Sequence, residues 1–341
     1  MSNTIRFGLR IPPCASATDI AACVHDAERV GFDIAWLPDS QFLWRDVWAC
    51  LAVAATATKN ISVGTCVTNL ETRHPSVTAA AAATIAEIAP GRVILGVGSG
   101  DSAIKTLGMR PTRVAQMEER IVAIEALLAG AEVIFSGRSM KLHTTPSQTV
   151  PLYLAANGPR MIELAGRRCA GALVLTGFRP EMIATTREVI ERGRAGRQDE
   201  PFDLCVGTIC HVTNDPAEAA HVVKPYVVAT VQTGGKETLK AIGIDIDPPA
   251  VVAGIYPDMS HAEDWDAAAD AASEWVTDDM ARLYAEAYCV VGSADYVTNR
   301  FQTAVDAGAT SFYVRHPGSY TLPTTLLEAF GSNVIPHFRS R

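Results

Sequence analysis

The sequence predicts an α/β protein folded as a closed (β/α)8 barrel, with a long excursion before its last helix and strand. Three observations carry this prediction. Short apolar runs alternate with segments whose apolar residues recur at helical spacing, and the alternation repeats eight times. Several of those runs are continuously apolar, the mark of parallel strands covered on both faces. Finally, 341 residues without an obvious interdomain linker suit one large domain spanning 1–341. A doubly wound open sheet is the second architecture compatible with the alternation.

The elements follow in order. IRFGLRI, from Ile5 to Ile11, reads as the first strand. Its helix runs from Thr18 to Val30, with Ile20, Cys23, Ala27 and Val30 on one face and Gly31 as the stop. IAWL (Ile34 to Leu37) is the second strand, followed by a helix from Asp46 to Thr58. ISVGTCV (Ile61 to Val67) is the third, and Pro75 opens an Ala-rich helix that extends to Ala89. RVILGVG (Arg92 to Gly98) precedes a helix from Val114 to Ala129, after which Arg138 to Val150 reads as a polar connection.

The second half repeats the pattern. PLYLAA (Pro151 to Ala156) leads to a helix from Pro159 to Cys169, and ALVLTG (Ala172 to Gly177) to one from Pro180 to Arg194. DLCVGTICHV (Asp203 to Val212) leads to one from Pro216 to Thr230. The segment 233–279, with Pro248, Pro249 and many acids, breaks the rhythm and reads as an insertion, either a lid or a solvated helix pair. A helix from Ala294 to Ala307 and the strand SFYVR (Ser311 to Arg315) close the series.

Composition narrows the function. With 48% hydrophobic and 19% charged residues the chain can bury a core, which excludes global disorder. Lys plus Arg total 29 against 37 for Asp plus Glu, a formal charge of −8 that argues against nucleic acid or an anionic membrane as partner. The N-terminal MSNTIRFGLRIPP turns polar and Pro-rich before a signal-peptide core could form. Val47 to Ala57, the most apolar stretch, falls short of the ~20 residues a spanning helix needs. The eight cysteines form no C-x-x-C pair and mostly sit in apolar runs, as reduced core residues of a cytoplasmic protein do. A small-molecule substrate fits this profile.

In a parallel barrel the residues just past the strand ends face the site. Here they are Asp39 and Ser40, Thr68 and Asn69, Ser99 to Asp101, Asn157 to Arg160, Thr176, Thr213, and Arg315 with His316. The set is polar and poor in nucleophiles, closer to a cofactor cradle than to a hydrolytic triad. GVGSGD (Gly96 to Asp101) lets backbone N–H groups approach a phosphate or a flat ring, although Asp101 stands where a dinucleotide fingerprint needs glycine. In AANGPR (Ala155 to Arg160), Pro159 opens a helix whose N-terminus favours an anion; an ordinary helix cap is the plainer reading. Trp44 sits in a polar entry to a helix and suits the wall of a flat ligand, whereas Trp48 reads as core. No metal site is expected: there is no H-E-x-x-H, and Cys205 and His211 lie about 20 Å apart along a strand.

GFDIAWLPDS, ISVGTCVTNLETRHP, IAEIAPGRVILGVGSGDSAIKTLGMRP and PLYLAANGPRMIELAGRRCAGALVLTG together resemble the luciferase-like flavin and deazaflavin oxidoreductases. Within that superfamily the chain looks most like the methylenetetrahydromethanopterin reductase group. The resemblance implies a TIM barrel binding coenzyme F420, an 8-hydroxy-5-deazaflavin, or alternatively FMN. It also implies a non-prolyl cis peptide at Cys66–Val67, behind the ring. The cofactor-binding set carried over is Asp39, Cys66, Val67, Thr68, Asn69, Gly98, Ser99, Gly100, Asp101, Ala156, Asn157, Gly158, Pro159, Arg160 and Thr176.

Many relatives carry histidine directly after the strand-two aspartate, and here that position is Ser40. Asp39, Ser40, Trp44 and Asp101 are therefore the catalytic candidates, with Asp39, Asp101 or a substrate group supplying any proton. Hydride transfer between F420 and a small organic substrate is the leading function. The alternatives are an FMN-dependent monooxygenase fed by a partner flavin reductase, and a non-catalytic flavin-binding protein. The resemblance also implies a homodimer, and the Ala-rich helix could pack against a partner.

Overall fold

The structure is a computed structural model describing residues 5–339; the ends of the predicted 1–341 domain, residues 1–4 and 340–341, lie outside the described residues. Its strands are β1 (Arg6–Arg10), β2 (Ile34–Leu37), β3 (Ser62–Thr65), β4 (Thr68–Asn69), β5 (Val93–Gly98), β6 (Val133–Phe135), β7 (Arg138–Met140), β8 (Leu152–Ala155), β9 (Gly171–Val174), β10 (Asp203–Val212), β11 (Cys289–Gly292) and β12 (Ser311–Arg315). Parallel pairing runs β1–β2–β3–β5–β8–β9–β10–β12 and returns from β12 to β1. That closes an eight-stranded barrel and excludes the open sheet.

Helices form where the caps expected from the sequence occur. Ser16 accepts from the Asp19 N–H at the start of Ala17–Val30, and Gly31 ends that helix with φ 99°. Asp46 accepts from the Ala49 N–H at the start of Val47–Ala57. Pro75 occupies the first turn of Pro75–Ile88 and Pro159 that of Pro159–Arg168.

Two cores result. Phe7, Leu9, Val63, Leu95 and Leu154 fill the layer between barrel and helices. Ile34, Trp36, Ile94, Tyr153, Leu173, Cys205 and Tyr313 fill the barrel itself. Trp36 fits there because a Cβ on Gly8 or Gly64 would lie 2.3 Å or 2.8 Å from its ring. None of the eight cysteines is in a disulfide, and all but Cys14 are buried.

Four features differ from the expected elements. The third strand stops at Thr65 and resumes at Thr68, and the Cys66–Val67 peptide bond between them is cis, as the resemblance implies. The polar connection holds a hairpin, β6 to β7, whose turn residues Ser136 and Gly137 both have positive φ. The helix expected from Pro216 to Thr230 is two, Pro216–His221 and Lys224–Gln232. Pro225 lacks the N–H of a continuous helix and its ring would clash with the preceding turn. Finally, β11 went unread because CVVG follows the helix Asp278–Tyr288 with no turn residue between them.

Strand β10 is the longest, and its two halves have different partners. Cys205 to Ile209 pair with β12, while Ile209 to Val212 pair with β11. The insertion 233–279 packs around that upper half, where Tyr226, Val228, Ile244, Met259 and Val276 form a separate apolar cluster. Trp265 stacks on Tyr226 at 4.7 Å and donates from its indole N–H to the Val222 carbonyl at 3.2 Å. No helix among the described residues is long and apolar enough to cross a membrane.

Candidate active site

The C-terminal ends of the barrel strands surround a cavity of about 670 Å³. Of the residues predicted from the sequence, Asp39, Trp44, Cys66, Val67, Asn69, Gly98 to Asp101 and Asn157 to Arg160 line it. Ser40, Thr68, Ala156 and Thr176 do not. Ser40 is buried and accepts a hydrogen bond from the Ser102 hydroxyl at 3.0 Å, so it braces the loop instead of facing the cavity. Thr68 donates to the Asp39 carboxylate at 2.7 Å. Ala156 is buried, and Thr176 bonds to Thr186 at 2.7 Å. Thr213, at the end of β10, lines a different cavity beside Tyr296 and Arg300.

One wall of the cavity is backbone. The cis bond brings Val67 over Gly98, where a Cβ would stand 2.7 Å from the Val67 Cγ2. Gly100, with φ 90°, then turns the chain into the short helix Ser102–Lys105, whose first turn has no side-chain cap. Across the cavity, Gly158 precedes Pro159–Arg168, again without a side-chain cap, and a Cβ at Gly158 would meet nothing within 4 Å. Uncapped N–H groups and an open approach make this helix end a seat for an anion.

Asn69 completes that wall. Its carbonyl oxygen accepts from the Glu71 and Thr72 N–H groups at 3.1 Å and 2.9 Å. Its Nδ2 is buried without a partner and belongs to a cavity-lining residue. A buried donor left free in this way suits the carbonyl edge of a flat ring.

The titratable groups are tuned mainly by burial. Burial raises the Asp39 carboxyl above its ordinary value, opposed by the Thr68 hydrogen bond and by Arg73, whose Nε lies 3.9 Å away. Burial also pushes the Cys66 thiol up to about 12, so it is a packed thiol and not a nucleophile. Asp101 pairs with Lys105. No group of three or more potential ligands capable of holding a metal occurs among the described residues.

Sequence reasoning missed Arg10, His261 and Tyr313, and noted Arg315 without assigning it a role. Arg10 is a charged residue inside the apolar run of β1, a pattern that could have flagged it. His261 comes from the insertion and lies 6.0 Å from Trp44, edge to face, with its Nδ1 held by Asp258 at 3.0 Å. Trp44 itself stacks under Arg10 at 5.0 Å and donates from its indole N–H to the Ser319 carbonyl at 2.8 Å.

Burial, with the Arg10 charge adding to it, pushes the His316 imidazole down to about 3. An unfolded chain takes up that proton near pH 6.5, and the folded one does not. Stability should therefore be full above pH 6.5 and fall as pH drops toward 3, with a slope of about 1.4 kcal/mol per pH unit from this group. His316→Gln should flatten that acid limb, which urea melts across a pH series would measure.

Parallel barrels carry their chemistry at this face, and this one combines backbone donors, an anion seat and an aromatic wall. The class so defined is a barrel whose strand-end cavity suits a flat, anionic ligand. The family model for luciferase-like monooxygenase matches residues 4–311, and the chain belongs to that family.

A 5,10-methylenetetrahydromethanopterin reductase from Methanolobus tindarius is 30% identical over 319 residues, covering 91% of this chain and 94% of that one. An F420-dependent glucose-6-phosphate dehydrogenase from Beutenbergia cavernae is 28% identical over 344 residues, covering 95% and 94%. The solved coenzyme F420-dependent tetrahydromethanopterin reductase from Methanopyrus kandleri superposes with a TM-score of 0.77 at 26% identity, over 98% of this chain and 99% of that one. Both the barrel and the superfamily resemblance read from the sequence are borne out.

Proposed function

We propose that the chain is an oxidoreductase that binds coenzyme F420 at the strand-end cavity and transfers a hydride between it and a small organic substrate. The observation that carries this reading is the backbone wall of the cavity: Val67 packed on Gly98, opposite the open helix start at Gly158. F420-dependent enzymes among the similar proteins support the choice of cofactor. The deazaflavin supplies the hydride-carrying carbon.

The protein's part is to bind, orient and exclude water. With F420 bound, Val67 would back the ring, Asn69 Nδ2 would offer it a donor, and the N–H groups that follow Gly158 would favour its phosphate. Trp44 and the insertion close the substrate side. With Ser40 turned away from the cavity, His261 is the cavity-lining imidazole. Its Nδ1 is engaged by Asp258, so Nε2 is the atom able to hold or release a proton toward substrate.

A titration of the purified chain with F420 and with FMN, each oxidised and reduced, tests the reading by absorbance and fluorescence. Preferential F420 binding is expected. Preferential binding of reduced FMN would indicate oxygen chemistry with a partner flavin reductase. A tightly held flavin that no donor or substrate turns over would indicate a non-catalytic binding protein, and binding of neither would overturn the assignment.

A homodimer belongs to the same reading. Val77 and Ile88, on the Pro75–Ile88 helix, are 49% and 38% exposed and offer an apolar contact. Sedimentation should give twice the monomer mass, and Val77→Glu should halve it.

A further inference from the structure

A second cavity, of about 320 Å³, adjoins the first; Asp101, Leu175, His261 and Arg315 line both. Its remaining wall is rich in tyrosine, with Tyr226, Tyr284 and Tyr288 set against the Gly207–Ile209 stretch of β10. The strand ends of β1 and β12 present two guanidiniums here: Arg10 lines the first cavity and Arg315 lines both.

Neither guanidinium has a hydrogen bond or ion pair among the described residues, and Arg10 Nη1 and Arg315 Nε are buried without a partner. Their contacts are aromatic faces: Arg10 over Trp44 at 5.0 Å and Arg315 over Tyr226 at 5.9 Å. Arg10 is only 3% exposed. Burial first, and Arg315 among its neighbours, pull the Arg10 pKa down, whereas at Arg315 burial is outweighed by Tyr313 and Tyr226, which raise it.

The carboxylates lining these cavities are engaged elsewhere. Asp39 is held by Thr68 and Arg73, Asp101 by Lys105, and Asp258 behind them by His261. Two like charges, Arg10 buried and Arg315 half-buried, with no counter-charge among the described residues form a receptor for an anion, and the guanidinium fork matches a planar or tetrahedral oxyanion.

We propose that the substrate carries a carboxylate or phosphate, which Arg10 and Arg315 grip, while the rest of the molecule enters the tyrosine-lined cavity. The word substrate rests on the reading of the larger cavity as the cofactor seat; the oxyanion site itself does not. An anionic edge of the cofactor has the same chemistry, and the test separates the two sources.

The full chain without added cofactor is melted at fixed ionic strength with benzoate, with phenyl phosphate, and with benzyl alcohol as their neutral counterpart. A saturable rise in Tm is expected with at least one anion and none with benzyl alcohol. Arg10→Gln and Arg315→Gln should weaken the apparent affinity about ten- to hundredfold. Arg315→Lys, which keeps the charge without the fork, should fall between.

An equal rise with benzyl alcohol, no rise with either anion, or a rise unchanged in the variants would overturn the site. The wild-type comparison stands even if a variant fails to fold. Repeating the melt with saturating F420 then identifies the source. A persisting anion response supports the substrate role, and its loss overturns that role in favour of the cofactor. A chain that responds to anions but binds no F420 sinks the cofactor reading and leaves the oxyanion site standing.

Discussion

Replacing Gly96 with alanine should destabilise the barrel by about 3 kcal/mol or more and abolish cofactor binding with it. Gly96 is a fully buried residue in the middle of β5, and a Cβ there would stand 2.1 Å from the Thr65 carbonyl oxygen. No side chain can yield to relieve that contact, because the obstacle is backbone.

The same two residues are tied together: Thr65 Oγ1 donates to the Gly96 carbonyl at 2.7 Å and accepts from its N–H at 3.0 Å. Separating them moves Thr65, and with it the Cys66–Val67 bond that follows. Gly158→Ala is the control, since its Cβ meets nothing and its stability should stay within about 0.5 kcal/mol of wild type. Urea melts and an F420 titration of both variants would check this. A Gly96→Ala protein with wild-type stability would show that β3 and β5 can part without cost.

Asp203→Ala should cost about 3 kcal/mol, yet leave F420 affinity per folded molecule unchanged. Asp203 lies at the opposite, N-terminal end of the barrel, where its carboxylate joins four strands. It accepts from Arg6 of β1 at 2.5 Å, Tyr153 of β8 at 2.8 Å and Ser311 of β12 at 2.8 Å, with Thr310 adding a bond at 2.5 Å. Removing it leaves the buried hydroxyl of Tyr153 and that of Ser311 without their acceptor and Arg6 without its counter-charge.

The figure sits at the low end for a broken buried pair because the Arg6 side chain is 38% exposed and water screens it. Conserved affinity with lowered stability would set the bottom of the barrel apart from its mouth. A parallel loss of F420 affinity would mean the two ends are coupled.

The site was legible in the sequence to the extent that it is made of local backbone. GVGSGD and AANGPR announce their turns through glycine and proline, and both segments line the cavity. Ser40 and Thr176 stand outside the cavity lining for one shared reason. Each lies in the turn that follows its strand, and which way such a side chain faces depends on a partner from elsewhere: Ser102 for Ser40, Thr186 for Thr176. Arg10 escaped notice because a charge inside an apolar strand reads as an edge or a flaw. Its meaning appears only when β12 brings Arg315 alongside.

The insertion was recognised as an interruption, but nothing in 233–279 signals that His261 returns to the mouth of the barrel. Strand β11 was invisible for a similar reason, since three apolar residues and a glycine after a helix carry no period of their own.

What the sequence determined alone is therefore everything governed by short-range pattern: the alternation of strands and helices, the caps, the glycine turns and the superfamily they spell. Tertiary structure decided what depends on residues far apart in the chain. It closed β12 onto β1, joined Asp203 to three other strands, and set Arg10 beside Arg315 and His261 over Trp44. The physical reason is that backbone turns are chosen by the few residues within them, whereas burial, charge compensation and cavity shape are sums over neighbours that only the closed barrel assembles.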